Sequence, residues 1–101
     1  MATAATVVRP AVPKDWESVK GLLESCSLPL DRARQHFADF LLALEDGALC
    51  ACCGLESYGD VALLSSVAVA LHHRGTGLGQ ELCGRLLASA KRRNIRTVVL
   101  L

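Results

Sequence analysis

The sequence carries almost no net charge: eleven Lys and Arg stand against ten Asp and Glu, a formal +1. That balance excludes a general electrostatic pull toward nucleic acid, so any anion site must be local. Long apolar runs are also missing. The longest mainly apolar stretch, Val61 to Leu71, contains Ser65 and Ser66 and falls far short of the ~20 residues of a helical span. No basic segment followed by an apolar one opens the chain at Met1–Arg9, which argues against a secretory signal. Repeats, low-complexity tracts and linkers are absent as well. Five cysteines is an odd number, and the cluster Cys50, Cys52, Cys53 does not resemble a disulfide framework. Reduced cysteines behave as small buried hydrophobes, so these features predict a soluble, cytoplasmic protein with neither nucleic acid nor membrane as partner.

What the chain does have is enough apolar material for one core. It has 101 residues, 51% hydrophobic and 21% charged, too apolar for disorder and too short for several domains. Surface scaling predicts that roughly 64% of the unfolded surface is buried. A single domain over residues 1–101 is expected.

Val7-Val8-Arg9 reads as a short strand closed by Pro10. A helix is expected from about Pro13 to Ser25, with proline tolerated in its first turn and Asp15 and Glu17 at the positive end of its dipole. Trp16, Val19, Leu22, Leu23 and Cys26 recur on one face. Leu28-Pro29-Leu30-Asp31 breaks the helix, and Asp31 is a candidate cap for a short second helix reaching His36. Phe40–Leu44 is an apolar strand, Asp46-Gly47 a hairpin signal, Ala48–Tyr58 the return strand, Gly59-Asp60 a turn, and Val61–Ala70 a third antiparallel strand. The period then changes to helical from Gly75 to about Lys91, with Leu78, Leu82, Leu86, Leu87 and Ala90 on the apolar face. Asn94 is a plausible left-handed cap, and Thr97–Leu101 a final strand parallel to the third. The fold class is α/β, with a mixed, mostly antiparallel sheet and flanking helices.

The informative segment is Leu71-His72-His73-Arg74-Gly75-Thr76-Gly77-Leu78-Gly79-Gln80. A strand ends, a basic turn follows, and alternating glycines open a helix. Unpaired amides at a helix start carry partial positive charge, and glycine lets a phosphate come close to them. Arg74 adds a charge able to fork onto phosphate oxygens. A Walker loop would need Lys-Ser/Thr after the last glycine, where Gln80-Glu81 stands. The dinucleotide fingerprint Gly-x-Gly-x-x-Gly differs in spacing and belongs to a purely parallel sheet.

This turn resembles the acetyl-CoA loop of the GNAT superfamily of N-acetyltransferases. Its pattern, Gln/Arg-x-x-Gly-x-Gly/Ala, is filled by Arg74, Gly77 and Gly79, with His73 before Arg74 and Gly75 after it. The order strand, helix, short helix, three antiparallel strands, loop, helix, strand is that family's too. More narrowly, Gly54–Asp60 leading into Leu63–Val69, with Leu28-Pro29-Leu30 and the Phe37/Phe40 region, resembles the arsenic-resistance N-acetyltransferases. The resemblance implies acetyl-CoA as cosubstrate. Its pyrophosphate would be held by Arg74, Gly75, Thr76, Gly77, Leu78, Gly79 and Gln80, and its pantetheine arm by the strand backbone at Val67, Ala68 and Val69. An amide near Val69 would polarise the thioester carbonyl. A small-molecule amine would attack directly, with Glu56 as candidate base. The resemblance also implies a further helix and two strands after Leu101, so the expectation is a C-terminally incomplete domain. The Tyr that often protonates the leaving thiolate comes from that region, whereas Tyr58, the only tyrosine, lies elsewhere. Ser65 stands where the arsenic-resistance group often carries a basic residue. An open last strand invites pairing with a second copy, a possible homodimer. A non-catalytic relative that binds acetyl-CoA or a partner chain is the alternative.

Other readings stay open at single residues. Glu56 is either a base or an ordinary strand carboxylate paired with a cation. Cys50 and Cys52 are expected on one strand face and Cys53 on the other, all as core residues, because no second ligand pair for a metal is evident. His72 and His73, adjacent on a turn, are expected as loop residues near phosphate, and no metal is expected. Cys83 falls within the helix's apolar face, and Lys91-Arg92-Arg93 suits the helix's carbonyl end.

Overall fold

A computed structural model describes residues 6–100. Asp46 and Gly47 both take left-handed backbone, with φ of 52° and 84°, as a two-residue type I′ turn requires. They join β2 (Phe40–Glu45) to β3 (Ala48–Tyr58). The Gly59-Asp60 turn, with Gly59 at φ 65°, leads into β4 (Val61–Val69). With β1 (Thr6–Pro10) and β5 (Thr97–Leu100), these strands make one sheet in sequence order. The first three pairings are antiparallel, and β5 runs parallel to β4. The mixed α/β sheet read from the sequence is the one observed.

Three helices cover the two faces. α1 (Trp16–Ser25) follows a 3-10 turn at Pro13–Asp15, and α2 is Asp31–Gln35. Val19, Leu23 and Ala33 from these helices pack on Phe40, Leu42, Cys52 and Ala68. α3 (Leu78–Arg92) lies on the opposite face, where Leu82, Leu86 and Ala90 meet Ala43, Ala51, Cys53, Leu55, Ala62 and Leu64. Burying each of the leucines at 0% exposure, Leu23, Leu55 and Leu82, is worth about 1.5–3 kcal/mol.

Several expectations need correction. Asp31 is the first residue of α2 rather than its cap, a place taken by Leu30 without a side-chain bond. The glycine helix begins at Leu78, because Gly75 and Gly77 hold φ near 80° and cannot be helical. Leu87 turns outward, 40% exposed. Asn94 does take the left-handed conformation after α3, at φ 62°.

Two bulges shape the sheet. Ala43 pairs with Ala51 but Leu44 pairs with Leu49, so Cys50 is an extra residue in β3. Cys52 pairs with Ala68 but Gly54 with Ser65, which places the second bulge at Ser66 and Val67 in β4. Its signature is Ser66 at φ 57°. The bulge exchanges the faces of β4: Leu64 packs under α3, whereas Ala68, of the same parity, packs under α1.

Candidate functional site

β4 leads to the glycine turn. After Val69 a 3-10 turn at Leu71–His73 redirects the chain, and Arg74 to Gly77 cross to the start of α3. Thr76 Oγ1 donates to the His73 carbonyl at 2.6 Å, which fixes the turn internally. Within α3 the earliest backbone bond runs from the Glu81 amide to the Gly77 carbonyl. The amides of Gly75, Thr76, Gly77, Leu78, Gly79 and Gln80 have no hydrogen-bond partner among the described residues. They border a cleft of about 380 Å³ lined by Val69, His73, Arg74, Gly75, Gly77, Leu78, Gly79 and Gln80. Consecutive amides without partners among the described residues, at the positive end of a fifteen-residue helix, are an arrangement able to hold an anion.

Each glycine has its own reason. Gly75 and Gly77 supply left-handed backbone, while Gly79 lets α3 approach β4, since a Cβ there would lie 3.3 Å from Val69 and 3.7 Å from Val67. Arg74 is exposed above the cleft. Its Nε donates to the Val69 carbonyl at 3.1 Å and one terminal nitrogen reaches Cys26 Sγ at 3.6 Å, so it also braces the end of β4.

Of the strand residues expected along the pantetheine arm, Val67 is exposed, Val69 half-buried, and Ala68 buried with its side chain under α1. β5 pairs with Val61 to Leu64 only, so no described strand covers the other edge of β4 from Ser65 to Val69. At the Ser66 bulge a second cavity opens, about 190 Å³, lined by Leu28, Pro29, Arg32, Ala33, Glu56, Ser65 and Ser66. β4 therefore runs from one cavity to the other, a Ser66–Val69 path of about 10 Å.

Glu56 sits in that second cavity, 3% exposed. Its Oε2 accepts from Arg32 at 2.7 Å and from the Tyr58 hydroxyl at 3.0 Å, with His36 Nε2 at 4.0 Å. Oε1 makes no hydrogen bond among the described residues. A surface carboxylate is excluded, and the cation partner is Arg32. The sequence did not suggest Arg32 or His36, because α2 meets β3 only in the folded chain. Tyr58, two residues from Glu56 on β3, shares its face, and strand alternation was the signal that could have found it.

The cysteines divide. Cys52 and Cys53 are core residues, and burial pushes the Cys52 thiol up to about 12 and raises Cys53 as well. Cys53 Sγ lies 3.6 Å from Cys83 Sγ beneath α3. Cys50 does not share the environment of Cys52. The bulge aims it at the foot of the glycine turn, where its Sγ is 3.5 Å from His73 Nε2, itself 3.0 Å from Glu45 Oε2. His73 is thus more than a loop residue.

The sequence pattern of the acetyltransferase (GNAT) family matches residues 9–101. No curated protein matches the chain in sequence. Among solved structures, it superposes on a Mycobacterium tuberculosis protein crystallised with CoA, with a TM-score of 0.83 and 25% identity over 94% of this chain and 63% of the other. N-acetylglutamate synthase from Neisseria gonorrhoeae, complexed with coenzyme A and N-acetyl-glutamate, gives 0.82 and 21% over 99% of this chain and 26% of the other. An acetyltransferase of the GNAT family from Staphylococcus aureus gives 0.81 and 16% over 95% and 72%. The chain therefore spans less than two thirds of the first two relatives. With its family pattern covering residues 9–101, and this fold beneath it, the chain belongs to the acetyltransferase (GNAT) family.

Proposed function

We propose that this chain is a single domain that binds acetyl-CoA and transfers the acetyl group to an amine of a small molecule. The observation that carries the reading is the row of six unpartnered amides from Gly75 to Gln80 at the start of α3. A diphosphate satisfies them without displacing a protein bond. Arg74, braced on Val69, adds charge beside it. From there the pantetheine arm follows the uncovered edge of β4 past Val69, Ala68 and Val67 toward the Ser66 bulge. The M. tuberculosis and N. gonorrhoeae relatives were crystallised with this cosubstrate's CoA portion, which supports the assignment.

The acceptor occupies the cavity between α2 and the bulge. Its volume of about 190 Å³ favours a small amine over a protein segment. Leu28 and Pro29 line it, and they belong to a segment that resembles the arsenic-resistance N-acetyltransferases, which favours that subgroup. The amine nitrogen attacks the thioester carbonyl carbon, the carbon–sulfur bond breaks, and CoA leaves as a thiolate that takes up a proton from solvent. A backbone amide near Val69 stabilises the developing oxyanion. Glu56 takes the amine proton, directly or through a water, on the Oε1 left free by Arg32 and Tyr58.

Calorimetry with acetyl-CoA tests binding, and a thiol-release assay over a panel of small amines tests transfer. One equivalent of acetyl-CoA and release of CoA with at least one amine are expected. A folded chain that shows no binding at high micromolar acetyl-CoA overturns the reading, while binding without release leaves a non-catalytic relative. Glu56→Gln is expected to lower kcat by about 10²–10⁴ with acetyl-CoA affinity unchanged.

A further inference from the structure

Glu45, Cys50 and His73 come from three separate places, the end of β2, the bulge of β3 and the turn after β4, and present one oxygen, one sulfur and one nitrogen to a common point. The donor atoms all lie within 4.8 Å of one another. His73 Nε2 is 3.0 Å from Glu45 Oε2 and 3.5 Å from Cys50 Sγ. Ligands on a tetrahedral zinc ion, at bond lengths of 2.0–2.3 Å, stand about 3.4 Å apart for N and O and about 3.6 Å for N and S. The two edges that meet at His73 lie close to those values, while Glu45 and Cys50, within 4.8 Å of each other, must close by up to about 1.2 Å.

A hydrolase-like triad is a poorer description. Such a relay uses both ring nitrogens, one toward the nucleophile and one toward the carboxylate. Here both neighbours crowd Nε2, while Nδ1 is buried without a hydrogen-bond partner. The Glu45 carboxylate only accepts, so Nε2 carries the proton in the metal-free chain, and a cation takes that proton's place as it shifts to Nδ1. With Nε2–H directed at Glu45, the Cys50 thiol cannot donate to it as well and donates to the Ala48 carbonyl at 3.4 Å. A cation at the common point binds all three groups, replacing the His73–Glu45 and Cys50–Ala48 hydrogen bonds.

The β3 bulge is the device that builds the cluster. Leu49 packs under α1 and Ala51 under α3, so the extra residue between them, Cys50, leaves the regular alternation and turns toward His73. Bulges characteristically re-aim a side chain in this way. Beside the cluster a cavity of about 260 Å³, bordered by Thr6, Glu45, His73, Thr76 and Glu81, gives an ion access and leaves room for a water. We propose that Glu45, Cys50 and His73 form a three-ligand site for a borderline-soft divalent cation, Zn2+ being the best match to an O, S, N donor set with one open position. Binding displaces the thiol proton to solvent and forms three metal–ligand bonds, with no change of oxidation state.

The test uses the whole chain, stripped with a chelator, and two probes. Zn2+ calorimetry is expected to give one equivalent. Co2+ is expected to give the absorption of a four-coordinate ion with a sulfur-to-metal charge-transfer band. Cys50→Ser removes the band, Cys53→Ser leaves it, and His73→Gln or Glu45→Gln weakens Zn2+ binding by roughly 100-fold or more, beyond the effect of losing an outer partner. Glu45 lies at the mouth of the hairpin, so Glu45→Gln carries the test even if Cys50→Ser does not fold. A cooperatively melting chain that binds no Zn2+ at tens of micromolar overturns the proposal. So does a band that survives Cys50→Ser, or affinity untouched by His73→Gln and Glu45→Gln.

Discussion

At the scale of single residues, the glycines divide into those whose purpose local sequence reveals and those whose purpose it hides. Gly75, Gly77 and Gly79 are spaced in a way that already suggests an anion cradle, and Gly75 and Gly77 do hold φ near 80°. Gly54 gave no such signal. Its reason lies across the sheet, where a Cβ would come 2.5 Å from the ring of Phe40, a buried residue at 2% exposure. Gly54→Ala is therefore expected to cost about 1–3 kcal/mol by overpacking. Chemical denaturation checks this, and combining it with Phe40→Leu should recover part of the loss, because the smaller side chain vacates the clash. Gly77→Ala forces a Cβ into left-handed backbone and should cost about 1–2 kcal/mol. It should also weaken acetyl-CoA binding, which calorimetry on the folded variant measures. Glu56 shows the opposite limit. Its position on β3 was legible, but its burial beside Arg32 and Tyr58 depends on α2 folding back over the strand.

Among the described elements, periodicity located α1 and α3, apolar runs and turn signals located the five strands with β3 ending at Ala48 and Tyr58, and α2 was read only from the break at Leu28–Asp31. What these signals missed were the bulges. One additional residue in a strand shifts alternation without any dedicated residue type, and in an almost wholly apolar strand such as Ala48–Leu55 the shift leaves no mark. The burial of Cys50 was read correctly, at 1% exposure, but its face was misread for that reason, and the surroundings of His73 with it. Some ties between elements are also invisible locally. Asp15, where α1 begins, accepts both terminal nitrogens of Arg9 on β1, at 2.8 and 2.9 Å, and the Val12 amide at 2.8 Å. The Arg9 guanidinium, helped by that amide, holds the Asp15 carboxyl down to about 2, against an ordinary 3.8. The folded state thus binds fewer protons than the unfolded chain in this range. The contribution is fully present above pH 3.8 and is lost as pH falls through about 2. Thermal melts across pH 2–5 should show a flatter acid limb in Asp15→Asn than in the parent. Equal slopes would remove Asp15 from the acid response.

For the whole molecule, near neutrality and a core on both faces of the sheet leave the proposed acetyl transfer to two cavities joined by one strand. No helix among the described residues is long and apolar enough to cross a membrane. The bulge at Ser66 serves both roles, because it switches the faces of β4 for packing and opens the cavity holding Glu56. The fold was legible at this scale because the strand–turn–helix order and the Arg74–Gln80 pattern occur together. The cavity proposed for the acceptor was not, since it is assembled from the Leu28–Pro29 segment, α2, β3 and β4. The central claim is that the free amides from Gly75 to Gln80 hold a diphosphate. Amide NMR spectra recorded during a titration with coenzyme A, and again with inorganic pyrophosphate, test it most directly. The account predicts that the largest saturable shifts fall on Gly75, Thr76, Gly77, Leu78, Gly79 and Gln80 with both ligands. Saturable shifts that bypass these six amides would contradict it.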